Sequence, residues 1–225
     1  MSMSDLKTVT KLQRHSEGIF EISFEKGDLE FVPGDCVALY GEDHEMSRPY
    51  SIASGVNDSE LSFIIREMEG GEVSPFLASR SVGDQVKISP PFGWFRPGAP
   101  EKGASYVFFA TGTGISPFMA HFKTRKNAAP ATLFYGVREL ADAVYLDPIK
   151  ESGSLLRLAL SRKAEKGAHH GRITDLLDEI PISAETHYYL CGLDAMIDEI
   201  SIYLESKNIA LPHIHRECFF NADYD

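Results

Sequence analysis

Two rhythms of apolar and polar positions divide this chain. From Leu6 to Pro91 the apolar residues come in short segments, rich in β-branched and aromatic side chains and separated by turn residues. Gly18-Ile-Phe-Glu-Ile-Ser-Phe-Glu25 alternates apolar with polar, the period of a half-buried strand. Asp35-Cys-Val-Ala-Leu-Tyr40 follows the turn Pro33-Gly34, Leu61-Ser-Phe-Ile-Ile-Arg66 follows Asn57-Asp58, and Gln85-Val-Lys-Ile-Ser89 follows Gly83-Asp84. Strands at that spacing predict a small antiparallel barrel or sandwich. Cys36, inside one of them, reads as core filler. One helical segment interrupts the strands. Gly70-Gly71-Glu72-Val73-Ser74-Pro75-Phe76-Leu77 supplies pliable backbone, then a hydroxyl at the N-cap position and a proline at the first helical position.

After Pro90-Pro91-Phe92-Gly93-Trp94-Phe95-Arg96-Pro97-Gly98 the rhythm changes, and this run with Ala99 to Gly103 reads as a domain boundary. The division is residues 1–98 and 99–225. In the second half short apolar runs alternate with helical patterns. Tyr106-Val-Phe-Phe-Ala110 leads into Thr111-Gly112-Thr113-Gly114-Ile115-Ser116-Pro117 and a helix over Phe118–Arg125. Ala131 to Tyr135, Leu155 to Leu160 and His187 to Leu190 are further strands, with helices over Thr174–Ile180 and Asp194–Ser206. Such alternation predicts an open, mainly parallel α/β sheet.

Composition narrows the possibilities. The 225 residues are 43% hydrophobic and 24% charged, ordinary for a globular protein of one large or two small domains. Net charge is −11, which argues against nucleic acid or an anionic membrane as main partner. No apolar run is long enough to span a bilayer and no apolar region follows Met1-Ser2-Met3-Ser4, so a cytoplasmic location is expected. Cys36, Cys191 and Cys218 lie far apart, a spacing that fits neither a disulfide framework nor a zinc or iron–sulfur site. No metal site is expected, His169-His170 included, because adjacent side chains diverge.

The candidate chemistry begins at Arg48-Pro49-Tyr50-Ser51. Pro49 keeps Arg48 extended, and strand alternation places Arg48 and Tyr50 on one face with Ser51 on the other. A guanidinium suits a phosphate, a tyrosine ring a planar heterocycle, and a hydroxyl both donates and accepts. The alternative is an edge strand with a surface arginine. The helix start at Gly71–Ser74 offers free N–H groups to a second phosphate, or is simply a capped helix. Strand, Gly-rich turn and helix at Ala110–Pro117 is the arrangement that brings backbone N–H groups onto a pyrophosphate, although Pro117 stands where a third glycine would complete the dinucleotide fingerprint. Ligands bind beyond the carboxyl ends of parallel strands, where Gly112, Arg138, Ser161, Arg162 and Cys191 fall.

Arg48-Pro-Tyr-Ser51, Gly71-Glu-Val-Ser74, Gly112-Thr-Gly-Ile-Ser-Pro117 and Cys191-Gly-Leu-Asp-Ala-Met196 resemble, in order and spacing, the motifs of the ferredoxin–NADP reductase superfamily. The resemblance runs from about Val9 to Phe220 and implies an antiparallel flavin barrel followed by an NADP domain. It implies FAD held by Arg48, Pro49, Tyr50 and Ser51, by Ile64, Ile65 and Arg66, and by Gly70, Gly71, Val73 and Ser74. NADPH would lie along Gly112, Thr113, Gly114, Arg138, Cys191, Gly192 and Met196, its 2′-phosphate on Ser161, Arg162 and Arg172. Lys163 and Lys166 stand close by in sequence. In the NAD-only alternative these are surface cations. Glu217 would relay a proton through Ser51, and Phe219 or Phe220 would cover the flavin. The resemblance makes Ser51, Cys191 and Glu217 the catalytic set.

The implied activity is hydride transfer from NADPH to FAD, with electrons passed to a separate ferredoxin or flavodoxin. Alternatives are an NAD(P)H:flavin reductase, the reductase component of an oxygenase complex, and a non-catalytic flavin-binding sensor subunit. Lys123, Arg125 and Lys126 form the local group of cations considered for carrier docking. Monomer and homodimer both remain open.

Overall fold

The computed structural model describes residues 5–98, 105–124 and 131–220, with backbone only for Phe219 and Phe220. The chain divides into two compact units. One is Met1–Arg96 with Ser116–Thr124, and the other is Pro97–Ile115 with Arg125–Asp225.

The first unit contains β1 (Asp5–Ser16), β2 (Ile19–Glu25), β3 (Cys36–Tyr40), β4 (Ser47–Ser51), β5 (Glu60–Arg66), α1 (Val73–Ala78), β6 (Gln85–Ile88) and α2 (Ser116–Thr124). Its six strands form one antiparallel sheet ordered β4-β3-β6-β1-β2-β5. Gly18 turns β1 into β2 at φ +78°, a conformation that costs glycine little. Pro49 has no N–H for a second ladder, and β4 accordingly sits at an edge. The sheet curls until its two ends meet: just past β4, Ala53 N–H donates to the Ser62 carbonyl of β5 at 2.8 Å. Val9, Phe20, Ile22, Phe24, Val37, Leu39, Phe63 and Val86 fill the interior with no exposed surface. The predicted barrel is thus a curled six-stranded sheet, and the predicted strands match β2, β3, β5 and β6 within a residue.

The second unit contains β7 (Ser105–Thr111), β8 (Thr132–Val137), α3 (Leu146–Glu151), β9 (Leu155–Leu160), β10 (His169–His170), β11 (Thr186–Leu193), α4 (Asp194–Ser206) and β12 (Ile214–Phe220). All neighbours pair in parallel, in the order β10-β9-β8-β7-β11-β12. From β7 the chain winds one way through β8 to β10, then returns to lay β11 and β12 on the other side. The strand order therefore reverses between β7 and β11, where open α/β sheets bind ligands. One face of the sheet is closed by Val107, Phe109, Phe134, Tyr188 and Leu190 packing with Ile197, Ile200 and Leu204 of α4.

Several local expectations change. β11 runs on to Leu193, so Cys191 and Gly192 lie within the strand rather than beyond it. Thr174–Ile180, expected as an ordinary helix, is a 3-10 helix over Ile173–Glu179 with a kink at Leu176. α2 begins at Ser116, two residues early, directly after a 3-10 turn at Gly112–Ile115. Arg125 lies outside the described residues. Ser74 is not the N-cap of α1: Glu72 holds that position, and Ser74 Oγ accepts the Met68 N–H at 2.9 Å. α4 spans the predicted residues.

Candidate active site

In the first unit the candidate chemistry stands on β4. Arg48 and Pro49 are exposed, Tyr50 is half-buried against the core, and Ser51 is buried. Among the described residues the Arg48 guanidinium bonds only the carbonyl of its neighbour Ser47, at 2.8 Å. That leaves most of its fork for a ligand. Burial pushes the Tyr50 hydroxyl up to about 12, against a smaller opposing pull from Arg48, so the ring remains neutral. The start of α1 comes beside this strand: a Cβ added at Gly41 would stand 3.7 Å from both Val73 Cγ2 and the Met46 carbonyl, one residue before β4. Gly70 and Gly71 are exposed there, Gly70 at φ +74°. Ile64 and Ile65 are buried and Arg66 half-buried on β5, the opposite edge strand. Half of its peptide groups therefore point away from β2.

In the second unit the candidate residues gather at the carboxyl ends of the strands. Gly112 takes φ +53° at the end of β7, and Thr113 and Gly114 are buried in the turn that follows. Gly114 and Gly192 are glycines because the backbone packs on itself. A Cβ on Gly114 would collide with the Cys191 carbonyl oxygen, and one on Gly192 with Thr111 Oγ1. Leu193 N–H donates to that same Thr111 hydroxyl at 2.8 Å. Thr111 thus clasps the two strands flanking the reversal of strand order, a role its sequence position did not announce. Nearby, Ser161 N–H donates to the Val137 carbonyl (3.0 Å), Arg162 N–H to that of Arg138 (2.9 Å) and Gly171 N–H to that of Leu160 (3.0 Å). These bonds bring Arg138, Ser161, Arg162 and Arg172 together at neighbouring strand ends, all with exposed side chains.

β11 and β12 place Cys191 opposite Glu217. The Cys191 S–H donates to Glu217 Oε2 at 3.8 Å. Complete burial, reinforced by the Glu217 charge and hydrogen bond, pushes the thiol well above its usual range. Cys191 is therefore a neutral thiol, not a nucleophilic thiolate. Glu217 is half-buried.

Other residues singled out in the sequence have the following surroundings. Met196 is 5% exposed and packs in the core of the second unit beside Ile197 and Ile200. Lys123 is half-buried and interacts with Glu21 and Asp58. Lys163 pairs with Glu165 at 3.4 Å, and His169 Nε2 with Asp175 at 3.2 Å. The side chains of Phe219 and Phe220, together with Lys126, lie outside the described residues.

Residues 7–96 match the family model of the oxidoreductase FAD-binding domain, and residues 108–201 that of the oxidoreductase NAD-binding domain. The chain belongs to the ferredoxin–NADP reductase superfamily. Among superfamily relatives, it is 27% identical over 224 residues to the toluate 1,2-dioxygenase electron transfer component of Pseudomonas putida. That match covers 94% of this chain and 66% of the relative. It is also 27% identical over 210 residues to the flavodoxin/ferredoxin–NADP reductase of Escherichia coli, covering 84% of this chain and 85% of the relative. The fold matches the crystal structure of a ferredoxin NADP+ reductase from Neisseria gonorrhoeae with bound FAD and NADP. The TM-score is 0.87 at 19% identity, over 98% of this chain and 100% of the other. The chain spans less than two thirds of the length of the two propane 2-monooxygenase reductase components it also matches.

The donor sets fit the cofactors of this superfamily. Arg48 and Tyr50 offer a cation and an aromatic ring on an edge strand, with the buried Ser51 hydroxyl next to them. The second unit offers a glycine-bearing turn at the reversal of strand order and three arginines near it.

Proposed function

We propose that the chain is a flavoprotein reductase that takes hydride from NADPH onto bound FAD and delivers electrons to a separate carrier protein. The observation that carries this reading is the Cys191–Glu217 pair, held at the strand-order reversal beside Gly112–Ile115. Flavin, when bound, would supply the redox chemistry: hydride acceptance and single-electron release.

The protein's own part is to bind and align. Arg48 anchors the flavin phosphates and Tyr50 stacks on the ring, with Gly70, Gly71, Val73 and Ser74 beside the pyrophosphate. Ser51 presents its hydroxyl to the edge of the ring that reacts. Gly112, Thr113 and Gly114 receive the nicotinamide nucleotide's pyrophosphate. Cys191, uncharged and buried, gives the nicotinamide a neutral polarizable wall that does not compete for hydride. Glu217 holds the thiol and is the nearby carboxylate for proton traffic. Arg138, Arg162 and Arg172, with Ser161, favour a 2′-phosphate, because planar guanidinium forks match its oxygens. The oxygenase-linked relatives support a carrier or oxygenase component as recipient of the electrons.

Anaerobic mixing of the purified protein with NADPH tests this. A yellow protein that bleaches supports the reading, and a yellow protein that does not bleach leaves a flavin-binding sensor. Colourless protein that binds FAD no better than riboflavin identifies a flavin reductase using flavin as substrate.

A further inference from the structure

Among the described residues β12 pairs with β11 alone, at the edge of the parallel sheet. Its register places Glu217 opposite Cys191, and just past that pair the ladder slips, from Gly192 opposite Cys218 to Leu193 opposite Phe220. A one-residue shift of the whole strand would turn Ile214 out of the core it shares with Tyr188 and Leu190. A two-residue shift would leave every side chain on its own face, because side chains alternate with period two. Burial alone therefore does not hold Glu217 at Cys191. On the other face Arg216 pairs with Glu205 of α4 at 2.8 Å, but both side chains are exposed and such a pair fixes little.

The face that carries Cys191 and Glu217 also carries a clamp, beginning at the pair Tyr189 and His215 two residues earlier. His187 of β11, 8% exposed, is its hub. Its Nδ1 lies 3.0 Å from His215 Nε2, so one of the two nitrogens carries the hydrogen and the other accepts it. Its ring stacks on His213, in the turn Leu211–His213 that leads into β12, with centroids 4.4 Å apart at 12°. His215 in turn stacks on Tyr189 at 4.2 Å and 14°. Tyr106 of β7 flanks His187 and Tyr189, its ring centroid 6.3 Å from each. Aliphatic contacts tolerate sliding, whereas a hydrogen bond and ring stacks are tied to one position. A two-residue shift of β12 would break all three at once.

We infer that His187, His213 and His215 are positioning residues for Glu217. They fix the register of β12 on the near side of the slip, so that the carboxylate meets the Cys191 thiol. The inference rests on the proposed role of the Cys191–Glu217 pair beside the nicotinamide.

The test uses the full FAD-loaded chain. It compares His187→Leu and His215→Leu with His187→Asn and His215→Gln, which keep a polar atom where Nδ1 and Nε2 stand. It reads the infrared S–H stretch of Cys191, amide hydrogen exchange and flavin reduction by NADPH. In wild type the hydrogen bond to Glu217 lowers the frequency of the thiol band, and both leucine variants should return it to that of an unbonded thiol. Exchange over residues 214–218 should rise about tenfold while β7, β8 and β9 stay protected. Flavin reduction should slow about tenfold at unchanged FAD content, with His187→Asn and His215→Gln recovering most of it. His213→Ala removes one stacked ring from a half-buried position and should raise the same exchange about threefold, which serves where a leucine variant does not fold. A wild-type band in the leucine variants, or unchanged exchange in His213→Ala, would overturn the inference. So would a uniform rise in exchange across the second unit. If NADPH does not reduce the wild-type flavin, the proposed function fails, while the band and the exchange still decide whether these histidines place Glu217.

Discussion

In the first unit Arg48, Tyr50 and Ser51 come from four consecutive positions of one edge strand. In the second, Gly112, Arg138, Arg162, Arg172 and Cys191 come from five separate segments, gathered by parallel pairing. The edge strand carries its chemistry in local order: proline keeps it extended and at the edge, and alternation sorts its faces. The parallel sheet carries its chemistry in topology. Gly112 and Cys191 flank the reversal of strand order between β7 and β11, and the arginines stand at the neighbouring strand ends from β8 to β10. Changes on β4 should therefore act one contact at a time, whereas changes at strand ends should discriminate between ligands that differ by a single group.

The largest effect is expected at Ser51. Ser51→Ala should slow flavin reduction by about 10²-fold, the scale on which a positioned proton-handling group acts. FAD content should stay near wild type, because Arg48 and Tyr50 remain. Stopped-flow reduction with a parallel measurement of bound flavin checks this. Loss of FAD in proportion to rate would mean that β4 acts only as a binding strand.

Arg162→Ala sharpens the other side. Removing one charged hydrogen-bonding partner costs about 1.5–3 kcal/mol, so NADPH affinity should fall roughly 10- to 100-fold. NADH affinity should change by less than about twofold, since NADH lacks the phosphate. Titration of both nucleotides reads the ratio, and equal losses would remove Arg162 from the 2′-phosphate site.

A third effect concerns acid stability. Burial alone would raise the Glu21 carboxyl, but its hydrogen bond from His15 and the Lys11 and Lys123 charges outweigh burial and bring it from 4.5 to about 2. A depressed carboxyl contributes stability above its unfolded value, and that contribution fades as pH falls from 4.5 towards 2. The shift corresponds to about 3 kcal/mol at most. Glu21→Gln should therefore flatten the pH dependence of unfolding free energy in that window, as denaturant titrations at several pH values would show. An unchanged slope would exclude Glu21 as a paired anion.

The same comparison explains what could be read along the chain. The β4 motif was legible because its meaning is local, and so were the strands of alternating or continuously apolar residues. Cys191 and the arginines were legible as strand-end residues, although β11 continues past Cys191. Glu21 was not legible: its place in an alternating strand assigns it to solvent, whereas Lys11 and His15 of the preceding strand and Lys123, far off in sequence, gather about it. Lys123 read as a surface cation for the same reason. Ser74 sat in a plausible capping sequence, but a bond from Met68 claims its hydroxyl. Thr111 became visible only when β7 and β11 were side by side.

Rapid anaerobic mixing with NADPH, following the absorbance of bound flavin, tests the proposed hydride transfer most directly. Bleaching in a single turnover, faster with NADPH than with NADH at equal concentration, is the predicted result. A flavin-loaded protein whose spectrum neither nucleotide changes would contradict it.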